Sequence, residues 1–125
     1  MISSARIYIF NVVYRDSNWL SVMEVNQLAG LMSQTLSHGL KELTYKNLQF
    51  INVYDKIKYG VQIHINKISY KKQRILPKEA IADLRSKLRG QLKKIPFFKF
   101  QDVLIVNDEF DFKPTPGFLI GDTDE

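Results

Sequence analysis

The chain has 125 residues, 45% hydrophobic and 25% charged, which is the length and composition of one globular domain. It contains no cysteine, so disulfides and Cys-ligated metal sites are excluded. No apolar run approaches the roughly 20 residues that cross a bilayer, and no signal-peptide cleavage pattern follows the first apolar stretch. The sequence therefore predicts a cytoplasmic protein that does not enter a membrane.

The net charge of +5 conceals a separation of charge along the chain. Residues 61–100 carry eleven Lys and Arg against two acids, whereas residues 101–125 carry one Lys and seven acids. Such asymmetry indicates a polyanion-binding surface or an acidic partner. The alternative is a solvated helix face followed by a solvated tail.

The first predicted elements are a strand and a helix. Residues 6–14 are β-branched and aromatic, which predicts a strand buried on both faces. Ser21 and Glu24 have the spacing of a capping box, so a helix should begin there. Its core face is the stripe Val25, Ala29, Met32, Leu36 and Leu43. Met23 and Leu31 point away from this stripe, which allows a second apolar face and an oligomer contact.

The remaining elements complete one domain. Residues 47–54 and about 59–68 predict two strands, and Pro77 suits the first turn of a second helix. The buried stripe of that helix is Ile81, Leu84, Leu88, Leu92 and Ile95, and residues 98–106 predict a last strand.

The order β-α-β-β-α-β predicts an α+β fold of the ferredoxin-like α/β plait type, with right-handed crossovers. It would hold a four-stranded antiparallel sheet with both helices on one face. We assign residues 1–108 to this domain and residues 109–125 to an acidic C-terminal tail. The other face of the sheet would then be open.

The third predicted strand carries a polar row on alternate positions. In VQIHIN the apolar residues Val61, Ile63 and Ile65 share one face, and the polar residues share the other. We interpret the polar row as the solvated side of a central strand, next to either Tyr8 and Phe10 or Ile7 and Ile9. The candidate contacts of this face with a polyanion or partner are Tyr8, Phe10, Gln62, His64 and Asn66.

Basic residues gather on the second predicted helix and on the loop before it. On a helical wheel, one flank of the helix carries Lys78, Arg85, Arg89 and Lys93. The loop adds Lys71, Lys72 and Arg74, next to Tyr70. Cations beside an aromatic ring suit phosphate contacts and base stacking, so these seven side chains are the predicted polyanion site.

The sequence gives little support to catalysis. The serines lie in no glycine elbow, and neither histidine has a carboxylate close by in sequence to orient it. A metal-dependent nuclease built on His64 would want a second histidine two residues on, where Asn66 stands. We therefore predict no catalytic residue, no cofactor and no metal, and a metal-dependent nuclease-like enzyme is the second alternative to the leading function.

The stretch IYIFNV, residues 7–12, is similar to the first-strand motif of RNA-recognition-motif domains, which share the plait topology. The resemblance implies that Tyr8, the second residue of the motif, stacks on a base. The third strand departs from the family pattern, because KYGVQIHI carries Val61 and Ile63 where other residue types belong.

Two classes of function lead from these patterns. The first is a non-enzymatic assembly or adaptor subunit that acts through a protein partner or self-association, within a nucleoprotein complex in one version. The alternative is an RNA- or nucleic-acid-binding domain that uses the basic helix flank and the open sheet face.

Overall fold

The structure is a computed structural model that describes residues 4–54, 59–107 and 117–124. Two helices and seven strands follow one another in these ranges. In chain order they are β1 (Ala5–Tyr14), α1 (Val22–Gly39), β2 (Leu43–Thr44), β3 (Asn47–Tyr54), β4 (Tyr59–Tyr70), α2 (Lys78–Leu92), β5 (Phe98–Lys99), β6 (Asp102–Asn107) and β7 (Gly117–Asp124).

The first helix begins where its capping box predicts. The Glu24 backbone N–H donates to Ser21 Oγ at 3.3 Å, and the Ser21 N–H donates to Glu24 Oε1 at 3.0 Å. These two bonds satisfy donors that the helix leaves without a partner. At the other end, the Leu40 N–H still donates to the Leu36 carbonyl at 2.8 Å, but the Leu40 backbone leaves helical geometry with φ −135° and ψ 64°. The helix therefore ends before Leu43, which is buried in β2 instead.

All strand pairs described in the sheet are antiparallel. Strand β1 lies between β4 and β6, and β3 lies between β4 and β7. The short strands β2 and β5 add to β4 and β1. The predicted mixed α+β fold with an antiparallel sheet is confirmed.

The sheet is larger than the four strands that we predicted. The last predicted strand, residues 98–106, is divided into β5 and β6. A further strand, β7, pairs with β3 from Asn47 to Val53. It comes from the segment assigned to the acidic tail, of which residues 109–116 and 125 lie outside the described ranges. The sheet is therefore not a plain four-stranded plait.

Two irregularities explain why strict alternation fails along β1 and β4. The β1–β4 register shifts between Ile9 and Val12, where Asn11 has φ 52°, and again opposite Lys67, which has φ 52°. An extra residue in a strand reverses which face the following side chains occupy. Val12 and Ile68 consequently join the same core as the odd-numbered residues before them.

Both helices pack into one hydrophobic core with the sheet. The core cluster joins Leu28 of α1, Leu88 of α2, and Ile63 of β4, all fully buried. Of the two predicted stripes, Ile81 is partly buried and the other members are buried. Leu31 also packs against this core, so only Met23 remains exposed from the predicted second face of α1.

Neither α1 nor α2, the helices of the described ranges, combines the length and the apolar character needed to span a membrane.

Candidate functional site

The seven predicted cations lie on the loop that leads into α2, on α2 itself and, for Lys93, at its C-cap, and we call them the basic surface. Its members are Lys71, Lys72, Arg74, Lys78, Arg85, Arg89 and Lys93, of which Arg89 is half-buried and the others are exposed. The three cations on α2 and Lys93 at its C-cap line a shallow groove together with Ile81, Ala82, Ser86 and Gly90. Small side chains along the groove leave the flanking cations accessible from solvent.

The loop before α2 holds two lysines in a left-handed backbone conformation. Tyr70 and Gln73 exchange two backbone hydrogen bonds of 2.9 and 3.0 Å, and the residues between them, Lys71 and Lys72, have φ 51° and 65°. A turn with two positive φ values favours Asn and Gly. Lysine is therefore an unfavourable residue at both positions, and the turn nevertheless carries two cations.

Asp83 ties this loop to α2. Its Oδ2 accepts from the Tyr70 hydroxyl at 2.5 Å and lies 3.4 Å from Lys71 Nζ and 3.3 Å from Lys87 Nζ. The bond from Tyr70 and the nearby lysines lower the pKa of Asp83. The spacing of Asp83 and Lys87, four residues apart on a helix, is a sequence signal for this ion pair.

Asp102 ties the other end of α2 to β6. A single oxygen, Oδ1, accepts from the Val103 N–H at 2.8 Å, from Arg85 Nη2 at 2.5 Å and from Arg89 Nη1 at 3.1 Å. The Val103 N–H is the main cause that lowers the pKa of Asp102, and the two guanidinium groups add to it. No local pattern predicts this cluster, because Asp102 lies on a different element from both arginines.

Four members of the basic surface have no ion pair with any other residue of the described ranges. They are Lys72, Arg74, Lys78 and Lys93. Lys71, Arg85 and Arg89, in contrast, are each within 3.4 Å of a carboxylate. The basic surface thus retains unneutralised positive charge on the loop and at both ends of α2.

The polar row of β4 lies opposite the aromatic residues of β1 and is not solvated. Tyr8 pairs with His64 in the register, and their ring centroids are 4.7 Å apart at an interplanar angle of 77°. Only 3% of Tyr8, 6% of His64 and 8% of Gln62 is exposed. The expectation of a solvated row is therefore wrong, because the ring and amide groups of a central strand pack against one another.

Hydrogen bonds join the polar side chains of this row. His64 Nε2 lies 3.2 Å from Gln62 Oε1, and the half-buried Asn66 donates to Gln49 Oε1 at 3.0 Å. Burial, with a smaller effect of the Arg6 charge, lowers the pKa of His64 to about 4. His64 is therefore neutral at pH 7.

The burial of Tyr8 bears on the base-stacking role that the family resemblance implies. A base stacks on the open face of an aromatic ring, which a ring with 3% exposure does not offer. The half-buried Phe10 ring lies 6.3 Å from that of Tyr8 in a nearly parallel arrangement. Tyr8, the ring to which the resemblance gives the stacking role, is therefore not accessible to a base.

No protein-family model matches the chain, and no significant match to it is found among curated proteins or solved structures. Within the described ranges, no three His, Asp or Glu side chains are grouped so that they could hold a metal ion.

A second group of exposed side chains lies on the segment that leads from β1 into α1 and on the loop before β5. We call the exposed Trp19, Val22, Met23 and Phe97 the apolar end, of which Met23 is 82% and Phe97 69% exposed. Phe97 has φ 60°, a strained value for a bulky residue. Its carbonyl accepts from the Arg15 N–H at 2.9 Å, which connects it to the turn before Trp19. Sequence reasoning found only Met23 of these residues.

Proposed function

We propose that this protein is a non-enzymatic, cytoplasmic subunit of a nucleoprotein assembly, and that it holds nucleic acid through phosphate contacts with the basic surface. The observation that supports this most directly is the set of exposed cations without a described ion pair. Lys72 and Arg74 supply two from the loop, Lys78 supplies one from the start of α2, and Lys93 supplies one from its C-cap. Four such charges on adjacent elements form the electrostatic footprint expected of a phosphate-binding face.

The expected binding depends little on base sequence. Phosphate contacts fix the position of a nucleic acid, whereas base contacts read its sequence. The ring that could stack on a base, Tyr8, is buried, and the exposed groups of the basic surface are cationic. The protein should therefore bind different sequences of one strand type with similar affinity.

The proposed scaffold is an α/β plait with an added edge strand. Strands β6, β1, β4 and β3 follow the plait order, and both helices share one core with them. In this interpretation β7 is an extension of the plait beside β3. The basic surface then lies on the second helix and its preceding loop, on the helical side of the sheet.

Binding to single-stranded RNA and to duplex DNA across a salt series tests the proposal. Fluorescence anisotropy should show affinity that falls steeply with salt, because cations on the protein release counterions from the phosphates. The logarithm of the RNA-binding constant should fall linearly with the logarithm of the salt concentration, and we call the steepness of this line the log–log slope. The double variant Lys78→Gln with Lys93→Gln should reduce the slope by about 1.4, since each lost phosphate contact removes about 0.7.

A matched control changes two exposed lysines outside the basic surface. Lys46→Gln with Lys99→Gln removes the same charge from the β2–β3 connection and from β5. This control should leave the slope almost unchanged. Absence of binding at low salt, or equal slopes for the two double variants, would contradict the proposed function.

A second candidate function, self-association, is favoured by the apolar end. Exposed aromatic and Met side chains are enriched in protein interfaces, and Phe97 is exposed despite a strained backbone. Sedimentation at micromolar concentration should show a dimer that Met23→Gln with Phe97→Ser dissociates. Ile75→Ser removes an exposed hydrophobe elsewhere and should leave the dimer intact. A monomeric wild-type protein would contradict this candidate.

A further inference from the structure

Three donors converge on one carboxylate oxygen at the contact between α2 and β6. The guanidinium groups of Arg85 and Arg89 and the Val103 N–H all donate to Asp102 Oδ1, at 2.5, 3.1 and 2.8 Å. We propose that these donors form a phosphate-binding site of the nucleic-acid surface, and that the Asp102 carboxylate occupies it in the free protein. This inference rests on the proposed function and names the site where a backbone phosphate enters.

The donors suit a phosphate oxygen. Arginine guanidinium groups and backbone N–H groups both bind phosphate oxygens through short, charge-assisted hydrogen bonds. The donor group carries two positive charges, of which the carboxylate neutralises one. A phosphodiester carries the same single negative charge as the carboxylate, so it can replace Asp102 without a change in the charge of the cluster.

Other contacts hold the arginines in place when the carboxylate leaves. Arg85 Nε donates separately to the Val103 carbonyl at 2.9 Å. The Arg89 guanidinium carbon lies 5.3 Å from the centroid of the Phe100 ring, within the range of a cation–π contact. Both guanidinium groups are therefore oriented by contacts that do not involve Asp102.

Asp102 can leave this position at low cost. Its side chain is 55% exposed, so a rotation takes the carboxylate into water instead of burying an unpaired charge. Both arginines also line the groove along α2 that Lys78 and Lys93 flank. A nucleic-acid strand that follows this groove would reach the site that Asp102 vacates, between the two lysines.

The variant Asp102→Asn tests the exchange, with Glu79→Gln as its matched control. Each substitution removes one negative charge close to α2, and Glu79 is exposed without an ion pair to another described residue. Asp102→Asn should tighten binding to single-stranded RNA. Its log–log slope should stay close to that of wild type, because both arginines contact phosphate in either complex. Glu79→Gln should leave the affinity close to that of wild type.

A measurement on the unaltered side chain complements the variants. The 13Cγ resonance of Asp102 can be titrated with pH in the free protein and in the complex with single-stranded RNA. The pKa of Asp102 is lowered in the free protein and should rise when the arginines turn to a phosphate. A merely structural ion pair would keep the same lowered pKa in the complex.

The outcomes separate this inference from the proposed function. If wild type binds RNA and Lys78→Gln with Lys93→Gln reduces the slope, the proposed function stands. Equal affinities of Asp102→Asn and Glu79→Gln for RNA, or an unchanged Asp102 titration in the complex, would then overturn the exchange alone. Weaker binding by a folded Asp102→Asn variant would also overturn it, with thermal unfolding as the check on the fold.

Discussion

At the scale of single residues, His64 determines how acid acts on the fold. It lies between the Tyr8 ring and the Gln62 amide, 6% exposed, and burial lowers its pKa from 6.5 to about 4. The unfolded chain therefore takes up a proton at His64 at a higher pH than the folded protein does. The stability that this difference provides is full above pH 6.5 and is lost as the pH falls towards 4.

We expect the free energy of unfolding to fall by about 3 kcal/mol over that interval, since one pKa unit corresponds to about 1.4 kcal/mol. Urea unfolding between pH 7 and 4 measures it. His64→Gln should flatten the dependence. The pKa values of Asp83 and Asp102 are lowered, so these two carboxylates become protonated in the folded protein only at a lower pH. The stability that they provide is therefore lost below this window. An equally steep loss in the His64→Gln variant would contradict the assignment.

Two glycines, one inside each helix, allow the effect of an added methyl group to be compared on the two helices. Gly30 of α1 and Gly90 of α2 are exposed, and a Cβ added at either would meet nothing within 4 Å. Each substitution by alanine should raise the free energy of unfolding by about 0.5–1 kcal/mol. Thermal unfolding checks the stability of both variants. If nucleic acid lies in the groove along α2, Gly90→Ala should also weaken RNA binding, whereas Gly30→Ala should not.

At the scale of elements, the core stripe of α2 carries a large share of the stability. Leu88 is fully buried in the cluster that joins both helices to the sheet. Leu88→Ala should lower the free energy of unfolding by about 2–5 kcal/mol, because it leaves a cavity in a packed core. Ser86→Ala, at an exposed position of the same helix, should change it by less than about 0.5 kcal/mol. A loss of only a few tenths for Leu88→Ala would contradict the burial.

The elements that the sequence predicts well are those with strong local signals. The capping box at Ser21 and the stripe around Leu88 locate both helices, and the runs at 47–54 and 59–68 locate two strands. Strand β7 escaped prediction because its pairing with β3 depends on residues far away in the chain. The bulges at Asn11 and Lys67 escaped because a shift in register depends on the neighbouring strand.

The candidate site was predictable only where local sequence signals define it. Helical spacing places Arg85 and Arg89 on one flank of α2, so the cations could be found from the sequence. Their neutralisation by Asp102 requires the packing of α2 on β6, which no spacing along the chain encodes. The burial of Tyr8 and His64 likewise follows from the register between β1 and β4, which alternation alone leaves ambiguous.

At the scale of the whole molecule, β7 protects an edge of the sheet. It pairs with β3 from Asn47 to Val53, so its removal would leave the β3 backbone groups without partners. A chain that ends at residue 116 should be less stable and should associate through β3, since unpaired strand edges template further pairing. Chemical unfolding and size-exclusion chromatography measure the two effects.

The control for this truncation removes Glu125 alone, which lies beyond β7. That shorter deletion should leave the unfolding midpoint and the elution volume at their wild-type values. A chain ending at 116 that stays monomeric and equally stable would show that β7 contributes no protection to β3.

The position of β1 in the middle of the sheet has a consequence for biosynthesis. Its Ala5 pairs with Ile68 on one side and with Asn107 on the other, so both partners leave the ribosome long after β1 itself. The neighbouring strands β3 and β4 can pair as soon as they emerge, because Tyr54 already faces Tyr59. During translation the apolar first strand therefore stays unpaired until β4 and then β6 have been synthesised, which lengthens the period in which the nascent chain can aggregate.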